Sequence, residues 1–499
     1  MSSFIVSSTS TSRVNTLLVV VGFLAFATIY KLLDKRKQFE KRPPLVKYTI
    51  PWLGSAIQLG KDPDGVFKNA TKAFGPVFRI KAAGREFTYI TAPEIISAVY
   101  RDSKTFEFTP IRLDMSELIF GISKKSCNDM KNIDHFLKYH HEGLSAKAVH
   151  GLHQRYGPFA YDCIQNMMIN FRATTITKLA LFIKPPAYVA ALYTFFGKTY
   201  PALESYEPFQ IFDAGFLLLQ TKLPRFILRK YLNAREKLTV LTEGYLTSPH
   251  EDCSDFVREM EGLVRNEKWS SRDMANFFLG DIWAFESNAI QAVYWIIALQ
   301  LQRPEGLYKI IEEIDTARDS WIKNNSNVED ETHCQWILEG SFPFLTSVIQ
   351  ESLRFCSSVF SIRLVTREVT LGGYRIRKGD YVMCHTRSVH MDNDIHKNPT
   401  EFIPERYMGS ETFTKNGRIV PNHSMPFGGG VSMCEGRHFV MGELKIFIAL
   451  LLSAAHIELD PLSSERPQFQ WARMGTGLMP PEGDLFIRVT RRTSTSSSR

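Results

Sequence analysis

The spacing of hydrophobic and polar residues predicts one membrane-spanning helix near the N-terminus. Residues 14–33 are apolar and carry a single charge, Lys31, close to their end. Twenty helical residues at about 1.5 Å each span about 30 Å, which matches the hydrocarbon core of a bilayer. A cleaved signal peptide is the alternative, but residues 1–13 carry little charge and no A-x-A site closes the apolar run. We therefore expect a transmembrane anchor at 14–33.

The rest of the chain has the pattern of one large, mainly helical domain. Runs of strand-forming residues at 77–79 and 87–90 predict two short strands around a turn at Gly84. Helical periodicity dominates afterwards, and Met274 to Leu301 predicts a long helix. Because no linker or repeat interrupts it, we expect a single domain over residues 47–492, mainly α with small antiparallel β-sheets.

A second apolar segment, Phe209 to Leu232, is interrupted by Lys222 and Pro224. Its uninterrupted runs are too short to cross a bilayer. Two interpretations stay open. The segment packs into the core, or part of it lies on the surface and dips into a membrane.

The net charge of +8 is concentrated beside the predicted anchor and not in a stripe that suits nucleic acid. Basic residues follow the anchor at Lys35, Arg36, Lys37, Lys41 and Arg42. By the positive-inside rule, residues 1–13 are lumenal and the bulk of the chain is cytosolic. We expect Pro43 and Pro44 to stiffen a linker at 34–46, and residues 493–499 to be a polar, disordered tail. We expect a membrane partner and no nucleic-acid partner.

The cysteines direct attention to one loop near the C-terminus. There are seven, an odd number with no C-x-x-C pair, so a disulfide framework or a zinc site is not expected. Cys434 lies in the glycine-rich stretch Met425 to Arg437 and precedes an apolar helical run. A helix N-terminus favours a thiolate, and a thiolate is a known axial ligand of haem iron.

This loop resembles the F-x-x-G-x-x-x-C-x-G haem loop of the cytochromes P-450. The matching positions are Phe427, Gly430, Cys434 and Gly436. Two neighbours depart from the pattern: Ser432 replaces a basic residue, and Glu435 replaces an apolar residue or proline. The resemblance implies haem b (iron protoporphyrin IX), with Cys434 as axial iron ligand and the other three shaping the loop. The alternative is a buried structural cysteine on a glycine-rich turn.

Two further motifs resemble the same family. Glu351 and Arg354 lie three residues apart, so their side chains meet on one helix, and Pro404 to Tyr407 resembles the P-E-R-F segment. The resemblance implies that Glu351 is held between Arg354 and Arg406, in a structural role. Arg363 matches the arginine that binds a haem propionate, for which a planar guanidinium is suited. The alternative for Arg363 is a solvated strand residue.

The long helix departs from the usual family pattern. Counting back from Pro304, Asn288 stands where most members have a threonine, and Ser287 where they have an acid, with Glu286 one residue out of register. The resemblance implies that Asn288 and Ser287 handle dioxygen and protons. Trp283 to Asn288 and Gly475 to Pro481 also resemble the branch of steroid 7α-hydroxylases, sterol 12α-hydroxylase and prostacyclin synthase.

The resemblance implies a single-pass protein of the endoplasmic reticulum membrane with a cytosolic haem-thiolate domain. Such a monooxygenase takes electrons from NADPH-cytochrome P-450 reductase and uses dioxygen to oxidise a bulky, lipophilic substrate. The substrate is expected to be a terpenoid, a steroid or an indole alkaloid, in fungal-type secondary-metabolite biosynthesis. By position in the resembled fold, the lining candidates are Phe285, Val359, Phe360, Leu478 and Met479. Two alternatives stay open: a haem-thiolate isomerase that needs no reductase, and a non-catalytic membrane haem-binding protein.

Overall fold

The computed structural model describes residues 42–492, except 49, 83, 131–132, 170, 172–173, 222, 326–333, 410–411 and 464, and except the side chains of 133–135. The predicted lumenal residues 1–13, the anchor at 14–33, most of the linker and the tail at 493–499 lie outside the described residues, and they stay predictions.

The helices are α1 (Ala56–Lys61), α2 (Pro63–Phe74), α3 (Pro93–Arg101), α4 (Thr109–Met115), α5 (Lys124–Asp129), α6 (Ile133–Gly143), α7 (Val149–Met168), α8 (Leu179–Phe196), α9 (Ala202–Ala214), α10 (Phe216–Leu219), α11 (Arg225–Thr247), α12 (Asp255–Asn266), α13 (Ser271–Leu301), α14 (Pro304–Asn324), α15 (Gln335–Glu339), α16 (Pro343–Cys356), α17 (Thr386–His390) and α18 (Arg437–Ala454). A π-helical turn, Ser116–Phe120, follows α4.

The strands are β1 (Val77–Ala82), β2 (Arg85–Ile90), β3 (Phe106–Glu107), β4 (Thr175–Lys178), β5 (Ser357–Val365), β6 (Val369–Leu371), β7 (Tyr374–Ile376), β8 (Tyr381–His385), β9 (Thr414–Lys415), β10 (Arg418–Ile419), β11 (Ala455–Leu459), β12 (Gln468–Phe469), β13 (Thr476–Leu478), β14 (Pro481–Glu482) and β15 (Phe486–Arg491). This content confirms the predicted fold class, mainly α with small sheets.

The described residues divide into two compact units. The first holds the chain up to Glu107 together with Ile362–Cys384. Here β1 pairs antiparallel with β2, and β2 pairs parallel with β8. Gly84 occupies the turn between β1 and β2 with φ of 76°, a conformation that glycine adopts without strain. The two predicted strands are therefore confirmed.

The second unit holds Phe108–Ser361 and the described residues from His385 onward, and it contains most of the helices. Its centre is α13, a helix of 31 residues that begins three residues before the predicted Met274. The side chain of Ser270 accepts a hydrogen bond from the backbone N–H of Asp273 (3.1 Å) and thereby caps the helix. Most residues of α13 are buried, because its sequence is apolar on nearly all sides.

Two described helices, α8 and α13, are long and apolar enough to cross a bilayer. In both, 78% of the apolar window is buried inside the protein. Packing within the second unit therefore accounts for their apolarity.

The Phe209 to Leu232 segment forms the end of α9, α10 and the beginning of α11. Phe216 and Leu219 are buried, whereas Phe226 is 78% exposed and Ile227 is 50% exposed. Some residues of the segment thus pack in the core and others lie on the surface. Contact of the exposed residues with a membrane stays a prediction.

Candidate active site

The loop before α18 is shaped by its own backbone. The N–H of Cys434 donates to the carbonyl of Phe427 (3.0 Å) and closes the loop. Gly428 and Gly430 have φ of 69° and 70°, a left-handed region in which residues with a Cβ are strained. Gly436 precedes the first residue of α18, Arg437. The loop therefore ends by presenting Cys434 at a helix N-terminus.

Cys434 differs from the other cysteines in its accessibility. Cys163 is half-buried, and the five buried cysteines are Cys127, Cys253, Cys334, Cys356 and Cys384. All seven cysteines lie in the described residues, and Cys434 is the only one of them that is exposed. The interpretation of Cys434 as a buried structural cysteine therefore does not hold.

The surroundings of the Cys434 thiol fit a metal-binding thiolate. The pKa of Cys434 is raised, by desolvation first and also by the Glu435 carboxylate, while hydrogen bonds from the backbone N–H groups of Gly436 and Arg437 and the Arg437 guanidinium partly offset the rise. Coordination to a metal ion deprotonates a thiol outright. A haem bound through cysteine needs an accessible sulfur, N–H groups that favour the thiolate, and a loop whose glycines leave room for the flat ring.

Glu351 lies at the centre of a buried ion network behind this loop. Arg354 donates to both carboxylate oxygens, from Nε (2.7 Å) and Nη2 (2.8 Å). Arg406 Nε donates to the same carboxylate (2.9 Å), as does the backbone N–H of Ile403 (3.0 Å). Glu351 and Arg354 are both 0% exposed. This is the arrangement that the family resemblance implied.

The network reaches the haem loop through His390, a residue that no sequence motif marks. Arg354 Nη1 donates to the His390 carbonyl (2.7 Å), and the backbone N–H of Met425 donates to His390 Nε2 (2.8 Å). His390 Nδ1 lies 3.2 Å from Ser357 Oγ. Desolvation and the nearby Arg354 charge hold the pKa of His390 well below its usual value, so its ring is neutral and Nε2 is free to accept. Hydrogen bonds thus tie the first residue of the loop to the ion network.

Helix α13 has an accessible stripe in its middle, where Trp283 and Phe285 are also half-buried. Ala284 is exposed, and Gly280 and Asn288 are half-buried. Residues four apart share a face of a helix, so these three line one side. The stripe includes Asn288 but not Ser287, which is buried.

Asn288 contacts the strand that faces this helix. The backbone N–H of Leu478, in β13, donates to Asn288 Oδ1 (2.8 Å), and Asn288 Nδ2 donates to Ser287 Oγ (3.3 Å). A Cβ on Gly477 would lie 2.0 Å from Asn288 Oδ1, so glycine is required there for the close approach. Asn288 therefore has a structural contact that the sequence did not reveal.

The other lining candidates differ in burial. Val359 and Phe360 are half-buried on β5, whose first residues pair with β13. Met479 is 0% exposed, so its side chain belongs to the core. Its backbone carbonyl accepts from Trp295 Nε1 (2.7 Å). Leu478 is also buried.

Phe285 packs one face of its ring against helix α8. Its ring stacks on that of Phe195 with centroids 3.9 Å apart and an interplanar angle of 5°. One face of the ring therefore packs on α8, while Phe285 as a whole is half-buried, so its place in the lining of the site stays a prediction. One residue on, Glu286 is 0% exposed, and desolvation and the carboxyl of Glu443 raise its pKa well above the usual value. Glu286 is thus neutral and buried in the core. It does not replace the acidic residue that most family members have at the position of Ser287.

Arg363 lies in the first unit. It is 3% exposed, its Nη1 donates to the Ile362 carbonyl (2.8 Å), and its guanidinium lies 5.5 Å from the centre of the Tyr100 ring. Desolvation lowers its pKa. Burial does not fit a solvated strand arginine, and a propionate contact stays a prediction.

Comparison with known proteins agrees with this geometry. The family model described as Cytochrome P450 matches residues 43–487. Cholesterol 7-alpha-monooxygenase of Cricetulus griseus is 26% identical over 498 residues, which cover 94% of this chain and 97% of that protein. Cytochrome P450 7B1 of Mus musculus is 25% identical and covers 95% of this chain and 97% of its own. The human 7-alpha-hydroxycholest-4-en-3-one 12-alpha-hydroxylase is 26% identical, with 95% and 96% covered.

A solved structure shows the same fold. Cyanobacterial CYP120A1 with bound retinoic acid superimposes with a TM-score of 0.70 at 19% identity, over 90% of this chain and 99% of that one. The matched region includes the Cys434 loop, the Glu351 network and the whole of α13. The chain therefore belongs to the cytochrome P450 family, as a monooxygenase whose cofactor is haem b.

Proposed function

We propose that this protein is a membrane-anchored monooxygenase that hydroxylates a bulky, rigid, lipophilic substrate of the steroid or terpenoid type. The observation that carries the proposal is similarity over at least 94% of the chain to enzymes named as sterol hydroxylases. An indole alkaloid is the less favoured substrate class, because nothing in those names points to it. A place in secondary metabolism rests only on the resemblance of the sequence to fungal members.

The proposed roles of the residues follow from their positions. Cys434 would hold haem through its thiolate, and haem so held supplies the activation of dioxygen. Phe427, Gly430 and Gly436 would keep the loop open against the flat ring, and Arg363 would bind a propionate. Asn288, on the accessible stripe of α13, would direct Nδ2 at dioxygen or at an ordered water. Ser287 would orient that amide through its hydroxyl, since the two lie 3.3 Å apart.

An amide donates hydrogen bonds but is a poor acid. A chain of water molecules would therefore bring the protons, with Asn288 fixing the last of them. Val359, Phe360 and Ala284 would supply apolar wall to the substrate site. This assignment leaves out Met479, because it is 0% exposed, and keeps Phe285 as a candidate, because it is half-buried.

The proposed setting is the endoplasmic reticulum membrane. Residues 14–33 would be a single-pass anchor, 1–13 lumenal, 34–46 the linker, 47–492 the cytosolic catalytic domain and 493–499 the tail. The exposed Phe226 and Ile227 would give a second contact with the bilayer. Electrons would come from NADPH-cytochrome P-450 reductase, which also acts on the cytosolic side.

The test of this function is oxygenation by membranes that contain the protein and the reductase. With a panel of sterols and terpenoids, we expect an NADPH-dependent product that gains one oxygen atom, and that atom should come from labelled dioxygen. Mass spectrometry of the product measures both. A product formed from a peroxide substrate without NADPH would instead support the isomerase alternative.

Asn288→Ala is expected to lower turnover by about 10²-fold, since a group that positions a proton donor is lost. The haem spectrum should stay intact, because the iron ligand lies on another element. A larger share of the electrons should appear as hydrogen peroxide. The measurement is the ratio of NADPH oxidised to product formed, and an unchanged ratio would exclude this role for Asn288.

The Asn288→Asp variant separates the two contacts of the side chain. It keeps an oxygen that can accept from the Leu478 N–H but loses the Nδ2 donor. We expect Asn288→Asp, like Asn288→Ala, to oxidise more NADPH per product formed than the wild type does. If it recovers wild-type coupling, the Nδ2 donor is not required and the proposed role of that group is wrong.

A further inference from the structure

A buried ion pair joins the end of α9 to the turn before β13. Arg473 Nη2 donates to Asp213 Oδ2 (2.8 Å), and its Nη1 donates to the Asp213 backbone carbonyl (2.6 Å). Asp213 is 6% exposed and Arg473 is 8% exposed. The two residues are 260 positions apart in the sequence. No motif predicts this pair.

Asp213 also holds a tryptophan of α13. Trp283 Nε1 donates to Asp213 Oδ1 (2.9 Å), so each carboxylate oxygen has its own partner. The Trp283 ring stacks on Phe216 of α10, with centroids 3.8 Å apart and planes within 2°. Phe120 lies 6.0 Å from the same ring. The position of the Trp283 indole is therefore fixed at its N–H by Asp213 and at one face by Phe216.

This cluster lies next to the accessible stripe. Trp283 directly precedes Ala284, the exposed residue of α13, and is itself half-buried. Arg473 lies three residues before Thr476, the first residue of β13, and its carbonyl accepts from Thr476 Oγ1 (2.9 Å). Two bridges thus connect α13 to the β13 turn, one through Asn288 and Leu478, and one from Trp283 through Asp213 to Arg473.

Stability alone is a weak reason for such a pair. Burying two charges costs about as much as their attraction returns, and apolar replacements are often neutral or stabilising. Arg473 Nε is also buried without a hydrogen-bond partner among the residues that the structure describes. A buried ion pair that is imperfectly hydrogen-bonded needs a reason other than stability. The best-attested reason is that such a pair fixes the relative position of packed elements.

We infer that Asp213 is a positioning residue for substrate, which sets the shape of the site by fixing the Trp283 ring and the turn before β13. The inference rests on the proposed function for the class of substrate. A flat, immobile indole beside an exposed alanine suits a rigid, polycyclic apolar molecule, because it offers a planar wall at no entropic cost on binding. The charges of Asp213 and Arg473 satisfy each other and leave the wall apolar.

Asp213→Asn tests this inference with little change of volume. The amide can still accept from Trp283 but no longer neutralises Arg473. The matched control is Asp460→Asn, since Asp460 is 2% exposed and accepts from Arg488 Nε (2.7 Å) outside the cluster. Haem content and the thiolate-type carbon monoxide spectrum should be normal in both variants. Circular dichroism during heating reports any loss of stability.

Binding is measured by optical titration of the ferric haem band. For Asp213→Asn, we expect the Kd of a polycyclic substrate to rise about tenfold, the effect of losing one buried charged hydrogen bond. The KM should rise with it, and hydroxylation should spread over more than one carbon. Asp460→Asn should change neither binding nor the position of hydroxylation. Equal binding by Asp213→Asn and wild type, or an equal loss in both variants, would overturn the inference.

Two azoles keep this test independent of the proposed substrate class. Imidazole binds haem iron and needs little space, whereas a bulky N-aryl imidazole must also fit the walls of the site. Asp213→Asn should weaken the bulky azole about tenfold and leave imidazole unchanged. If no steroid or terpenoid binds the wild type, the proposed function fails, and the ratio of the two azole affinities still decides the role of Asp213.

Discussion

Replacing Cys434 by serine is expected to abolish the red-shifted Soret band that the carbon monoxide complex of a thiolate-ligated ferrous haem shows. A hydroxyl does not supply the electron density of a thiolate, so monooxygenation should fall to the limit of detection. Haem content should fall as well, since a bond to the iron is lost. The measurements are the reduced carbon monoxide difference spectrum and the haem-to-protein ratio.

Cys163→Ser is the matched control, because Cys163 is the half-buried cysteine and lies on α7, away from the loop. Its spectrum and activity should equal those of the wild type. Retention of the red-shifted band by Cys434→Ser would show that another residue binds the iron.

Replacing Glu351 by alanine should have the second-largest effect. Two guanidinium groups, of Arg354 and Arg406, would remain buried without their shared carboxylate, and the Ile403 N–H would lose its acceptor. Breaking one side of a buried ion pair costs about 3–5 kcal/mol. Native proteins are stable by only about 5–15 kcal/mol, so little of the chain should accumulate folded. Denaturant unfolding and haem retention at 37 °C measure the loss.

A surface pair supplies the comparison. Glu405 accepts from Lys309 Nζ (3.0 Å), but the two side chains are 48% and 53% exposed. Glu405→Gln should cost less than about 1 kcal/mol, because water screens an exposed pair. Similar losses in the two variants would mean that burial of Glu351 does not carry the effect.

The sequence alone determined the features whose chemistry is local. The positions of Phe427, Gly430, Cys434 and Gly436 specify a glycine-rich turn followed by a helix, since backbone freedom and a helix N-terminus act over a few residues. In the same way, Glu351 and Arg354 meet on any helix because they are three residues apart. The apolar length of α13 and the strands around Gly84 follow from periodicity.

Tertiary structure decided which side chains of α13 remain accessible. Neighbouring residues of a helix point about 100° apart, so the apolar pattern of α13 alone did not show which of them stay accessible. Packing buried Glu286 and Ser287 and left Ala284 on the accessible stripe. Apolar walls and apolar core have the same composition, so the sequence could not separate Met479 from Val359.

Contacts between distant residues were decided in the same way. Asp213 meets Arg473 across 260 positions, and the His390 ring reaches the Met425 N–H. Nothing in the spacing of either pair marks it. Such contacts exist because buried polar groups must find partners, and only the packing of the helices determines which partners lie within reach.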